Sequence, residues 1–347
     1  MFQYDRKTGR YESSREFWTS ARKFFSGDRE DQRILDLQKA ANVEGIDSSG
    51  GVLVPEMNQN EVLSVALEGA IVRPRALVFP METDILNIPR LVDTDRSSNI
   101  FGGVTFTWQG EGAELFTGAS QPALGNIKLN HHKLTGTAIA SREVEDDIMG
   151  FGTFMNQAFG RALRFLEDDA YIWGNGVGQP QGIMNSGAMI AVTRQGNGYV
   201  DMPDIGNMAA RLLPDSWSRA VWIISQSVLA QWMTLNDAGA NVASFIDLST
   251  MQCLGCPILV SEHAAALGTS GDIILADFAH FILGGKDMVV SSSREADYSS
   301  GMAGWTRDQT LWKLVMHVDG QPMLGAPITP KRGGATISPF VALTTAS

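Results

Sequence analysis

LEDDAYIWGNGVGQPQGIMN, residues Leu166 to Asn185, is the stretch on which the fold turns. Four glycines fall in the ten residues from Trp173 to Gly182, the density of a phosphate cradle. A dinucleotide site needs GxGxxG after a strand and at the opening of a helix, so that the helix N-terminus meets the pyrophosphate. Here the order is reversed. Val144, Ile148, Phe151, Met155, Ala158, Ala162 and Phe165 recur at spacings of three and four. That period predicts a helical region opening at Ser141, broken near Gly150 and Gly152, with a long piece from about Thr153 to Trp173. The long piece would span roughly 30 Å. Gly174, Gly176 and Gly178 close it, where a left-handed glycine cap is the ordinary use. Gln179 stands where the fingerprint wants its third glycine, and no GxxxxGK[ST] occurs. These three glycines therefore read as a helix stop and hinge; a nucleotide-dependent enzyme using them is the rival from another class.

Downstream the pattern is mixed α/β: a helix near Pro203 to Leu213, a strand in AVWIIS (Ala220 to Ser225), a helix near Gln226 to Asn236, then strands in PILVSE, DIILADF, HFILGG and DMVVSSS. LWKLVMHVDGQPMLGAPIT reads as one or two extended strands with a turn at Asp319 and Gly320. Upstream, Val104, Phe106 and Trp108 alternate with Thr105, Thr107 and Gln109, and a return strand runs from about Asn126 to Ala140. GEGAELFTGASQPALG between them makes a loose tip. A lone two-stranded ribbon is marginal in water, so this one is expected to rest on something outside its own domain. A strand is expected near Ala76 to Phe79 and helices near 13–25, 31–41 and 57–67; residues 1 to about 50 carry too little apolar surface for a core and read as an arm.

The chain has 347 residues, 44% hydrophobic and 19% charged, which excludes disorder and coiled coil as the main state. The balance of 27 Lys+Arg against 38 Asp+Glu leaves −11, without the basic cluster that grips a nucleic-acid backbone. MFQYDRKTGR lacks a signal-peptide core, and no window holds 18 uninterrupted apolar residues, so a cytosolic chain without a membrane segment is expected. Cys253 and Cys256 form a CxxC with no second half for zinc, and read as buried small residues in a turn. His131 and His132, adjacent on a strand, point to opposite faces and read as surface residues. The acidic runs Glu143 to Asp147 and Glu167 to Asp169 read as solvated helix faces. Nothing reads as a serine triad, and no catalytic residue, cofactor or metal ligand is assigned.

Four stretches, in this order, resemble the major capsid proteins of tailed bacteriophages with the fold first described for phage HK97: GGVLVPE (Gly50 to Glu56), NIPRL (Asn87 to Leu91), KLTGTAIASREVEDD (Lys133 to Asp147), and the opening stretch, Leu166 to Asn185. The resemblance covers about residues 45 to 330. It implies an α+β fold with an N-terminal arm (1–50), a first part of a peripheral domain (51–90), an extended β-hairpin E-loop (91–140), a peripheral part with the long spine helix (141–178), an α/β axial domain (179–300), and return strands with a C-terminal tail (301–347). In that frame the arm and E-loop lie over neighbouring subunits. The candidates for subunit contacts are Phe17, Trp18 and Phe24 on the arm and Phe101, Trp108 and Phe116 on the ribbon, with ordinary packing inside the subunit as the alternative for any one of them.

The implied function is a structural one. Copies of the chain would assemble as hexamers and pentamers into an icosahedral shell, in the host cytoplasm and then in the virion, around double-stranded DNA that they do not read in sequence. Portal and scaffold proteins are the implied partners, with decoration proteins as candidates. The alternative within the fold is an encapsulin-type compartment. Some members cross-link an E-loop lysine to a peripheral asparagine; Ser97 to Ile127 has no lysine and Thr306 to Met316 no asparagine, so no such link is expected. Only about 50 residues precede the matching core, so proteolytic removal of a leading segment is not expected either.

Overall fold

The structure is a computed structural model that describes residues 68–97, 102–103, 106, 108–112, 121–147, 150–196, 198–237, 246–247, 249–295, 297–299, 302–303 and 307–345. The expected arm, its helices and that near 57–67, together with Phe17, Trp18, Phe24, Phe101 and Phe116, lie outside these residues. The chain partitions into two units, Met1–Gln59 and Asn60–Ser347, and every described residue belongs to the second.

One layer of that unit is a five-stranded sheet. Its centre is β15 (Gln309–Pro322), the longest strand described, which pairs along one edge with β4 (His132–Ser141) and along the other with β11 (Phe281–Gly285) and β12 (Val289–Ser293). β1 (Leu77–Pro80) closes the sheet, parallel to β11. After β4 come the short α1 (Arg142–Asp147) and the long α2 (Phe151–Trp173). At 23 residues α2 runs about 35 Å. Phe151, Met155, Phe159, Leu163, Glu167 and Tyr171 are its buried row, one residue in four along a single ridge. The apolar part of that row packs on Trp312, Leu314, Met316 and Val318 of β15. Ala162, expected on the buried side, is exposed, because the ridge passes through Phe159 and Leu163 instead. The helix begins at Gly150, whose φ of 85° stops any continuation from α1.

The second layer is a seven-stranded mixed sheet in the order β5 (Ile190–Thr193), β16 (Phe340–Thr344), β10 (Ile273–Ala276), β6 (Val221–Ile224), β9 (Cys256–Val260), β8 (Gln252–Cys253), β7 (Ile246–Asp247). β6 reads VWII and β10 IILA, and all eight residues are buried. Such unbroken apolar runs are what a sheet covered on both faces requires. Val221 and Ile223 face the core shared with α2, while Trp222 and Ile224 face a second core under α3 (Met202–Ala210) and α4 (Gln226–Asp237). α3 starts with a capping box in which Asp201 and Asp204 exchange bonds with each other's backbone N–H. A small hairpin, β13 (Asp297–Ser299) and β14 (Met302–Ala303), leads from β12 toward β15.

Three expectations need correction. The C-terminal residues are not a tail of the first layer: β16 is an inner strand of the seven-stranded sheet, with Phe340 to Leu343 buried. β15 passes straight through Asp319 and Gly320 without a turn. A Cβ on Gly320 would stand 2.9 to 3.0 Å from Phe281, Leu283 and Tyr171, so the glycine serves close packing. The return strand expected over Asn126 to Ala140 is two strands, β3 (Leu124–Asn130) and β4, broken at His131. There the Asp319 carboxylate takes the Asn130 N–H and the Asp84 carbonyl takes that of His131, and the chain changes partner from β2 (Ile85–Leu91) to β15.

Candidate assembly surfaces

The glycine-rich stretch is a fastened corner. The N–H groups a phosphate would need are used within the loop: Gly174 donates to the Ala170 carbonyl, Gly176 to Pro180 and Val177 to the Asn175 side chain. The Asn185 amide donates to the carbonyls of Trp173 (2.7 Å) and Gly174 (3.2 Å), satisfying the open end of α2. Gly176 and Gly178 have φ of 75° and 70°, as a left-handed turn demands. Gly174, expected as such a cap, has φ −54°; its lack of a side chain is needed because a Cβ would come 2.2 Å from the Pro180 carbonyl oxygen. Gly182 is equally confined, 2.6 Å from the Ile172 carbonyl oxygen.

The acidic run before this corner is not a solvated face. Glu167 and Asp168 are 3% and 2% exposed. The Asp168 carboxylate accepts the backbone N–H groups of Ile71 (2.6 Å) and Val72 (3.1 Å), and Glu167 takes the Arg73 guanidinium through two nitrogens. Burial pushes the Asp168 carboxyl up, and the two N–H groups offset part of that. The run thus clamps the turn at Ile71 to Arg73, just before β1, to the end of α2. His131 is also corrected: its side chain is 4% exposed, 3.6 Å from Asp84 and with its ring 6.0 Å from that of His317. His132 approaches Asp319 at 3.8 Å.

Cys253 and Cys256 face each other across a two-residue turn in which Leu254 and Gly255 both have positive φ. Both are buried free thiols; burial, and then the neighbouring Cys256, push Cys253 up to about 12, which leaves it unreactive. Among the described residues no three His, Cys, Asp or Glu side chains gather as a metal site would need. No helix among them is long and apolar enough to cross a membrane.

What the unit does present is apolar surface without cover. β2 and β3 pair over seven residues as a ribbon that no third strand joins among the described residues. Its root is packed, with Ile127 and Leu129 against Met81 and Ile282, and its first strand is tied to the body by Arg90 on the Met323 carbonyl and by Thr94 and Arg96 on Thr329. Beyond the root, Ala123 N–H bonds to the Gly102 carbonyl, and then side chains stand in solvent: Phe106 is 78% and Trp108 106% exposed. Neither lies in a strand, and Val104, Thr105 and Thr107 of the expected alternation lie outside the described residues. The second exposed set is Leu77, Val78, Met288 and Val289 on β1 and beside β12. Val78 and Met288 border a groove of about 350 Å³ between α2 and the first sheet, floored by Leu163, Leu283 and Met316. Tyr199, Trp217 and Met233 form a third set on the α/β layer. Sequence periodicity could not find the second set, because its exposure depends on which strands lie at edges.

Comparison with known proteins agrees with this arrangement. A model of the phage capsid family matches residues 50–331. Solved structures share the fold: the capsid of a native GTA particle (TM-score 0.66, 17% identity, covering 86% of this chain and 98% of that one), a chain from Mycobacterium phage Adephagia (0.61, 18%, 85% and 96%) and one from Microbacterium phage Oxtober96 (0.61, 15%, 84% and 96%). No curated protein matches in sequence. With most of its length matched by that model, and its sheet, long helix and unsupported ribbon in one unit, the chain belongs to the phage capsid family.

Proposed function

We propose that this capsid protein is the main building block of a closed icosahedral shell, formed from hexamers and pentamers of this one chain around double-stranded DNA. The single observation that carries the reading is the ribbon, a two-stranded projection whose Trp108 is fully exposed among the described residues. Burying such a side chain between copies contributes about 2 kcal/mol, and a closed shell repeats the contact at every subunit. The remaining candidates, Phe17, Trp18, Phe24, Phe101 and Phe116, supply further apolar contacts, and the arm over residues 1–50 lies on a neighbouring copy. Gly174, Gly176 and Gly178 act as the joint between the spine helix and the α/β layer. The role is structural, and the shell forms without covalent links between subunits.

Electron microscopy of the expressed chain tests this. Closed shells of uniform size are the expected result, in denaturing gels a single band, and nucleic acid rather than a protein cargo when shells are taken from infected cells. A chain that stays monomeric at every concentration and salt overturns the reading, and a ladder of covalent multimers overturns the link-free part of it.

A further inference from the structure

At the root of the ribbon lies a cavity of about 180 Å³, walled by Arg90 of β2, Asn126 of β3, Gln181 and Ser186 from the corner after α2, and Gln321 of β15. No acidic side chain lines it. The Arg90 guanidinium donates once, from Nη1 to the Met323 carbonyl at 2.6 Å. Its Nε and the Ser186 hydroxyl have neither accessible surface nor a hydrogen-bond partner. The amides do not fill the gap, since Gln321 donates to Gln181 and Gln181 donates to the Asn185 carbonyl. Two glycines keep the guanidinium seated: a Cβ on Gly325 would stand 2.7 Å from Arg90 Nη2, and one on Gly187 2.5 Å from the Gly325 carbonyl oxygen. Donors and one positive charge converge on a small polar space without a counter-charge among the described residues.

We propose that this cavity is a carboxylate-binding site, filled in the assembled shell by an aspartate or glutamate of a neighbouring copy; the occupant rests on the shell reading above. A planar anion with two acceptor oxygens matches the fork of a guanidinium, and desolvated donors are costly until such an acceptor arrives. The chain itself favours this source. It carries 38 Asp+Glu against 27 Lys+Arg, so over the whole chain carboxylates outnumber cations, and each neighbouring copy brings that surplus with it.

The test converts proximity into a bond. Full-length Arg90→Lys chains are co-expressed with an excess of the unsubstituted chain, so that shells close even if the variant alone assembles badly, and the shells are treated with a water-soluble carbodiimide. The reagent activates a carboxylate, the amine at position 90 displaces it to form an amide, and the carboxylate oxygen leaves in the urea. The expected result is a covalent dimer on a reducing denaturing gel, absent from treated shells of the unsubstituted chain, with peptide mass spectra joining position 90 to an Asp or Glu of another copy. Closed shells without that dimer overturn the proposal and leave the shell reading standing, as does a link from position 90 to its own chain. Absence of shells from every chain, the unsubstituted one included, overturns both. As a second readout, Arg90→Gln should lower assembly yield about tenfold while the unassembled chain keeps its fold. Assembly at the normal yield, or restoration by inorganic phosphate in place of a partner carboxylate, counts against it.

Discussion

Set the ribbon beside the α/β sheet. β6 and β10 bury eight of eight residues, whereas β2 buries none and β3 only Ile127 and Leu129. Seven of the ribbon's fourteen paired residues are Ile or Leu, interleaved with Asn, Arg and Lys, against an all-apolar β6 and β10, so the ribbon too has apolar side chains to bury. What separates them is cover. The sheet has α2 against one face and α3 with α4 against the other; the ribbon is held at its root by Met81 and Ile282, by Arg90 on the Met323 carbonyl and by Thr94 and Arg96 on Thr329, and beyond these Phe106 and Trp108 stand exposed. A chain whose inner sheet is finished and whose projection is not has its remaining packing to do with other copies.

The comparison breaks first in the body. Gly182→Ala drives a Cβ into backbone on two sides, and should cost about 4 kcal/mol or prevent folding, as read by urea denaturation of the unassembled chain. A cost under 1 kcal/mol would mean the corner is not fixed as described. Asp168→Ala strands the buried N–H groups of Ile71 and Val72, for about 3 kcal/mol in the same assay.

Asp277 sharpens the picture through pH. Burial works against its charge, but hydrogen bonds from His280 and the Ala279 N–H win and hold it at about 2, below the ordinary 3.8. Because the folded state binds the proton less readily than the unfolded one, the stabilisation is complete at neutral pH and is lost as pH falls through about 4 toward about 2. With a side chain 1% exposed, the shift is worth about 2 kcal/mol. Asp277→Asn should therefore be less stable than the unsubstituted chain by about that much at pH 7, with the gap closing at low pH; a gap independent of pH would contradict the assignment. The smallest effect belongs to the ribbon: Trp108→Ser should change the stability of the unassembled chain by less than about 0.5 kcal/mol, while the yield of shells drops.

The sequence told much about the inner elements and little about contacts far apart in the chain. VWII and IILA announce buried strands, and the glycines after Trp173 announce the end of α2, because those signals are local. Asp168 looked solvated because its partners stand 97 and 96 residues away, and Gly320 looked like a turn because its packing against Tyr171 is invisible to periodicity. The break at His131 depends on Asp84 and Asp319, brought together only when β2 and β15 meet the same strand. Of the candidate surface residues, Trp108 was legible as an aromatic without a local core, whereas the Arg90 cavity needs four separate segments to exist.

The most direct measurement is hydroxyl-radical footprinting of Trp108, read by mass spectrometry in the unassembled chain and in purified shells. An exposed ring in the first and an at least roughly tenfold slower modification in the second is the predicted result. Equal modification in both states would mean that the ribbon meets no neighbour, and would contradict the account.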